Sequence, residues 1–163
     1  GWDQDDWSVS DGLDDFDDDS DEDNRNDSDP YTIHRHPVFV VTTGLIAQMR
    51  YIWEICLHHA TESTSATLSW KYANNLGNAE RNLVLLIQSI DMGDYLLGVC
   101  HGKFALRSIN ETMGLLRELS EQIPDGQKFL AAMRKRLFDL REVTLRVMQD
   151  CRDESQRGFS DND

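Results

Sequence analysis

From residue 38 onward apolar side chains recur every three or four positions, the period of an amphipathic α-helix. The first such stripe holds Val38, Val41, Leu45, Met49, Ile52 and Cys56. The second holds Leu68, Tyr72, Leu76, Ala79, Leu83, Leu86 and Ile90. The third runs through Leu97, Cys100, Phe104, Ile109, Met113, Leu116 and on to Ile123. The fourth holds Phe129, Met133, Leu137, Leu140, Thr144, Val147 and Cys151. Punctuation falls between the stripes. Pro37 suits a first helical turn, where its missing N–H is no loss. Thr61 to Ser65 is rich in hydroxyls, and Thr64 or Ser65 can accept an orphan N–H at the start of the second helix. Met92-Gly93-Asp94 reads as a tight turn, with Gly93 at C′ and Asp94 as the next N-cap. Pro124-Asp125-Gly126 is the strongest turn signal in the chain.

Four helices of roughly 22–29 residues, each about 33–43 Å long at 1.5 Å per residue, joined by short turns, predict an all-α fold. The expected architecture is an antiparallel up-down-up-down four-helix bundle over residues 31–153. Only Val38-Phe39-Val40-Val41 carries an ambiguous strand signal. About 125 residues suffice to bury a core without metal or disulfide. Gly98 and Gly102, four apart in the third helix, predict a close helix–helix approach or a kink, since each weakens an isolated helix. Residues 154–163 are polar and read as a disordered C-terminal tail.

The pattern is absent before residue 31. Residues 1–30 are rich in Asp, Ser, Gly and Asn with almost no aliphatic content, which predicts a disordered acidic N-terminal tail. Charge divides the same way. The 163-residue chain has 30 Asp and Glu against 16 Lys and Arg, a formal net charge of −14. Residues 1–29 hold 14 acids and one Arg, so the remainder is nearly neutral. A net-acidic surface argues against a direct, sequence-independent grip on nucleic acid, which needs clustered Lys and Arg. No apolar run is long enough to span a membrane. The three cysteines are an odd, sparse set lying in apolar stripes, which fits buried thiols in a reducing, intracellular compartment, cytoplasmic or nuclear. The chain opens on Gly1 rather than Met, which fits a processed or excised piece of a longer protein.

Residue chemistry offers no catalytic or metal constellation. His58-His59 follow Glu54 by four and five positions, whereas bundle metal sites use Glu-x-x-His with a second copy on another helix; helix-end histidines near carbonyls fit better. His101 in Cys100-His101-Gly102-Lys103 departs from phosphotransfer bundles, which place Lys and Gly three and four residues beyond the histidine. The paired acids lie in the tail, where nothing fixes their separation or pKa. The expectation is therefore a protein that is not an enzyme and needs no cofactor.

Two segments point to partners instead. Trp2, Trp7, Leu13 and Phe16 are set among acids, although disordered segments are usually poor in aromatics. Their rings gain by burial against a partner, with the acids steering toward basic surface. This alternation resembles transcriptional activation segments, and Trp flanked by acids is similar to short motifs read by transport adaptors and vesicle coats. Ser20-Asp21-Glu22-Asp23 resembles an acid-directed kinase consensus, so the tail is also an expected phosphorylation site. The second segment is the fourth helix, where seven bases against three acids fall in residues 128–152. Arg134, Arg141 and Arg152 lie within about 20° of one line at 100° per residue. The expected function is a non-catalytic adaptor or scaffold that binds other proteins through a basic or helix-in-groove surface and through the acidic-aromatic motif. The alternative is a regulatory or transcription-type factor, cellular or viral, whose tail is the effector and whose bundle is an assembly domain. The helical arrangement is similar to focal-adhesion-type bundles, phosphotransfer bundles and viral cofactor domains, an analogy of fold that fixes no function.

Overall fold

The computed structural model describes residues 33–60 and 62–161. Among these residues the regular structure is all helical. After a short 3₁₀ turn at Ile33–Arg35 come α1 (Pro37–Ala60), α2 (Ala66–Asp91) and α3 (Tyr95–Gln122). A second 3₁₀ turn at Pro124–Gly126 leads into α4 (Gln127–Ser160). The expectation for the tail before residue 31 lies outside the described residues.

The helix ends follow local chemistry. Ahead of α1, the Nδ1 of His36 accepts the N–H of Val38 at 3.2 Å, satisfying one of the helix's orphan donors. Ser65 caps α2 by accepting the N–H of Leu68, and Asp94 caps α3 by accepting that of Leu97. Between them Gly93 takes φ +73°, a left-handed backbone that glycine adopts without a Cβ penalty. The side chain of Gln127 donates to the carbonyls of Ser120 and Ile123, closing the end of α3 from the start of α4. All of these are short-range devices that end one helix and start the next.

The four helices enclose one continuous apolar core. Each helix meets two neighbours: α1 packs on α2 and α4, and α3 packs on α2 and α4. Trp53 of α1 lies 4.8 Å, ring to ring, from Tyr72 of α2, and Arg50 pairs with Glu80. The Nε of Arg136 in α4 donates to the side chain of Gln48 in α1 at 2.9 Å. Ser65, at the start of α2, donates its N–H to Gln122, at the end of α3. Tyr72 is fully buried and its hydroxyl donates to the sulfur of Met133, 3.3 Å away. Burial, with a smaller push from Cys56, holds that phenol well above its usual range. Five serines and threonines are also buried, and four of them, Thr42, Ser89, Thr112 and Thr144, each donate to the carbonyl four residues back, so no hydroxyl of these four is left unpaired.

Three sequence expectations change. In α1 the buried stripe is Thr42, Ile46, Met49, Trp53 and Cys56: Met49 and Cys56 are buried as expected, Thr42, Ile46 and Trp53 take the places expected of Val41, Leu45 and Ile52, and Val41 is exposed. The reason is that Pro37 to Met49 carries no charge, so several faces are apolar and the period alone does not choose among them. In the first half of α3, Gly98, Gly102 and Ala105 face inward while Leu97, Cys100 and Phe104 face outward. A Cβ on Gly102 would collide with Cγ and Sδ of Met148, and one on Gly98 would sit 3.3 Å from Leu86 and 3.4 Å from the sulfur of Cys151. The expected close approach therefore exists, and it moves Leu97, Cys100 and Phe104 to the outside while Val99 still turns in. Third, α4 continues to Ser160, so residues 154–160 are helical rather than part of a coil tail. Gln149 with Asp153 and Arg157 with Glu154 supply the i,i+4 and i,i+3 side-chain pairs that extend the helix past the core.

Candidate functional site

The arginines of α4 are not one continuous face. Successive residues climb 1.5 Å, so Arg134 and Arg152 are about 27 Å apart along the axis. Arg134 is exposed and stands over the ring of Phe138, 5.7 Å from its centroid, the i,i+4 spacing that brings two side chains together. Arg141 is half-buried and turns to Glu142 at 3.5 Å. Arg152 is half-buried beside Cys151, where it partly opposes the upward push of burial and of Asp150 on that thiol. Two other bases of the helix are engaged as well: Arg136 reaches Gln48, and Lys128 lies 4.9 Å from the centre of the Phe129 ring. Trp2, Trp7, Leu13 and Phe16 lie outside the described residues.

Arg134 alone of the three lines a groove, formed between the second half of α3 and the first half of α4. Its floor is Met113, Leu116, Leu130 and Ala131, with Phe138 at one end, 44% exposed. Arg117 from α3 and Arg134 from α4 stand on its rim, with Ser120 and Gln127 completing the lining. No carboxylate lines it. The cavity measures about 260 Å³. The pattern of the third stripe contains Met113 and Leu116, but periodicity gives no reason to pick out Arg117 or Phe138. Each is the residue that follows a core position, Leu116 and Leu137, and so flanks a helix seam. Which neighbour shares that seam is a property of packing and not of either helix alone.

On its other side α4 borders a larger cleft against the start of α1, of about 710 Å³. Val38, Val143 and Val147 line it together with Asp139, Glu142, Asp150 and Arg146. Asp139, Glu142 and Asp150 of α4 thus line the α1-side cleft with Arg146 among them, whereas Arg134 meets no carboxylate in the lining of the α3 groove.

The remaining histidines and cysteines are dispersed. His59 stacks on Phe129 at 6.1 Å and 11°, with His58 edge-on to it, as a packed helix end. The Nδ1 of His101 is closed to solvent and has no hydrogen-bond partner. Among the described residues no group of three or more His, Cys, Asp or Glu side chains is gathered closely enough to hold a metal ion. Cys56 and Cys151 are buried thiols, raised above their usual pKa by burial, and Cys100 is an exposed one. None of the described helices is long and apolar enough to cross a membrane. Comparison with protein families, with curated proteins and with solved structures finds no match to this chain.

Proposed function

We propose that this chain is a non-catalytic protein–protein interaction module, an antiparallel up-down-up-down four-helix bundle whose α3–α4 groove receives the apolar face of an acidic partner helix. The direction of the helices is supported by which residues pair. Position rises on one helix as it falls on the next: Trp53 with Tyr72 and Arg50 with Glu80, Gly98 with Leu86 but Ser65 with Gln122, Gly98 with Cys151 and Gly102 with Met148. The observation that carries the functional reading is the groove itself, an apolar floor between two guanidiniums with no carboxylate in its lining. Such a floor takes an apolar anchor, and the rim selects carboxylates beside it. Helix-in-groove recognition presents anchors three or four residues apart, which matches a groove running between two helices. A volume of about 260 Å³ suits one or two side chains rather than a complete small molecule. The acid-lined cleft on the α1 side disfavours the same partner and so adds specificity. The acidic-aromatic segment with Trp2, Trp7, Leu13 and Phe16 is, on its sequence chemistry, a second contact element for a basic partner surface. Three free thiols fit work in a reducing compartment.

The test is a peptide-display selection on the full-length chain, followed by affinity measurements on Arg134→Glu and Phe138→Ser. Winning peptides are expected to carry an apolar pair three or four apart flanked by Asp or Glu, and each substitution to weaken them about tenfold or more. Basic winners, or acidic winners indifferent to both substitutions, would refute the reading.

A further inference from the structure

The first half of α3 presents an apolar ridge to solvent. Leu96 and Phe104 are each 57% exposed and Leu97 is 38% exposed, with the exposed Cys100 between them. At 100° per residue Leu96, Cys100 and Phe104 fall within about 80° of one another. They stand opposite Gly98, Gly102 and Ala105, which are buried. Large apolar side chains gathered on one exposed ridge are a contact surface in waiting.

The ends of the ridge carry opposite charges. Asp91 and Asp94 precede it, and Lys103 and Arg107 lie at its far end, Arg107 paired with Glu111 at 3.1 Å so that the end keeps a net positive charge. A parallel neighbour of the same kind would set like charge against like. An antiparallel neighbour, turned about a two-fold axis through Cys100, sets the acidic end against the basic end and Leu96 against Phe104. A surface complementary to itself in this way is the mark of an isologous dimer. We infer that this ridge binds a second copy of the same chain, α3 against α3, antiparallel and centred on Cys100. A contact of one helix ridge per copy falls below the ~1,200 Å² of standard stable interfaces, so the dimer is weak and depends on concentration.

Cys100 reports on this geometry. Packed helices lie about 8–10 Å apart with Cα atoms about 2.3 Å from each axis, which leaves the two Cys100 Cα atoms roughly 4–5 Å apart and within disulfide reach. Cys56 and Cys151 are buried and do not compete. Sedimentation equilibrium of the full chain from about 10 to 200 µM is expected to show a monomer–dimer equilibrium, a range that brackets weak association. Mild oxidation is expected to trap a disulfide-linked dimer that Cys100→Ser abolishes. Phe104→Asp and, separately, Lys103→Glu combined with Arg107→Glu are each expected to raise the dimer Kd about tenfold or more. Their thermal melts should stay unchanged, because all three side chains are exposed. A chain that stays monomeric throughout the range, or a dimer indifferent to Phe104→Asp in a variant that still folds, overturns the inference.

Discussion

The two halves of α3 are built on opposite plans. From Ile109 onward the large residues Ile109, Leu116 and Leu119 point into the core, and Asn110, Glu111, Arg117 and Glu118 point out. Before Ala105 the inward positions are Gly98, Val99 and Gly102, and the large residues Leu96, Leu97 and Phe104 point out. Both halves are amphipathic in spacing, yet the first seats only Val99 and two glycines in the core where the second seats Ile109, Leu116 and Leu119. The difference is room. Met148 and Cys151 of α4 and Leu86 of α2 occupy the space that side chains on Gly98 and Gly102 would need. Where neighbours fill the core, a helix contributes backbone, and its own large side chains are left for another surface.

The sharpest way to break this comparison is to truncate one residue in each half. Leu119, which is fully buried, is expected to lose about 2–5 kcal/mol on substitution by Ala, through lost burial and the cavity left behind. Chemical denaturation measures it. A loss under about 0.5 kcal/mol would place Leu119 at the surface and erase the distinction between the halves.

The second test adds volume instead. Gly102→Val is expected to cost about 1–3 kcal/mol, because Met148 blocks the new side chain along its length and not only at its tip. At Gly114, in the second half, an added Cβ would meet nothing within 4 Å, so Gly114→Ala is expected to stabilise by up to about 1 kcal/mol through helix propensity alone. Equal effects at the two glycines would mean that α3 and α4 are no closer at one end than at the other.

These outcomes also explain what could be read from the residues alone. The stripes of α2 and α4 are legible because most of their length sets polar and charged residues on the face opposite the apolar positions, so one face is marked for burial. Ser65, Gly93 and Asp94 were legible because capping is local chemistry. The register of α1 was not, since an uncharged run offers several equivalent faces. The first half of α3 was inverted because periodicity weighs large side chains, and the space between helices is decided by Met148, some 46 residues away. The groove was half legible: Arg134 stood out by charge, whereas Arg117 and Phe138 gained their place from the seam between two helices.

A third, smaller effect sharpens the view of the end of the core where bulk is buried. Tyr72 lies two turns in from the contact between Ser65 and Gln122, beside Trp53 and Met133. Its phenol is raised by burial, so the folded state holds the proton that the unfolded chain releases near pH 10. That contribution is complete below pH 10 and is lost as pH rises above it. At about pH 10.5 the loss is about 1 kcal/mol. Cys56 and Cys151 act in the same direction from a lower pH, because their thiols are also raised. Urea melts at neutral pH and at about pH 10.5 should show a drop for the native chain that is smaller in Tyr72→Phe. An identical drop in both would show that the Tyr72 phenol is not sealed from water.

The smallest expected effect tests the outward half directly. Phe104 is larger than most core residues, and its spacing would place it in the core by pattern alone. At 57% exposed, it has little burial to lose. Ser and Phe have similar helix propensities, so Phe104→Ser changes the side chain without changing the backbone preference. Stability measured at low protein concentration is therefore expected to move by no more than about 0.5 kcal/mol. A loss of about 2 kcal/mol or more, the range of core truncations, would mean that Phe104 is buried after all and that the two halves of α3 follow one plan. If stability is unchanged while self-association is lost, the same ring is shown to be idle in folding and active in contact. That separation is what the glycines of α3 make possible, because the backbone that packs at Gly98 and Gly102 leaves the opposite face of the helix free.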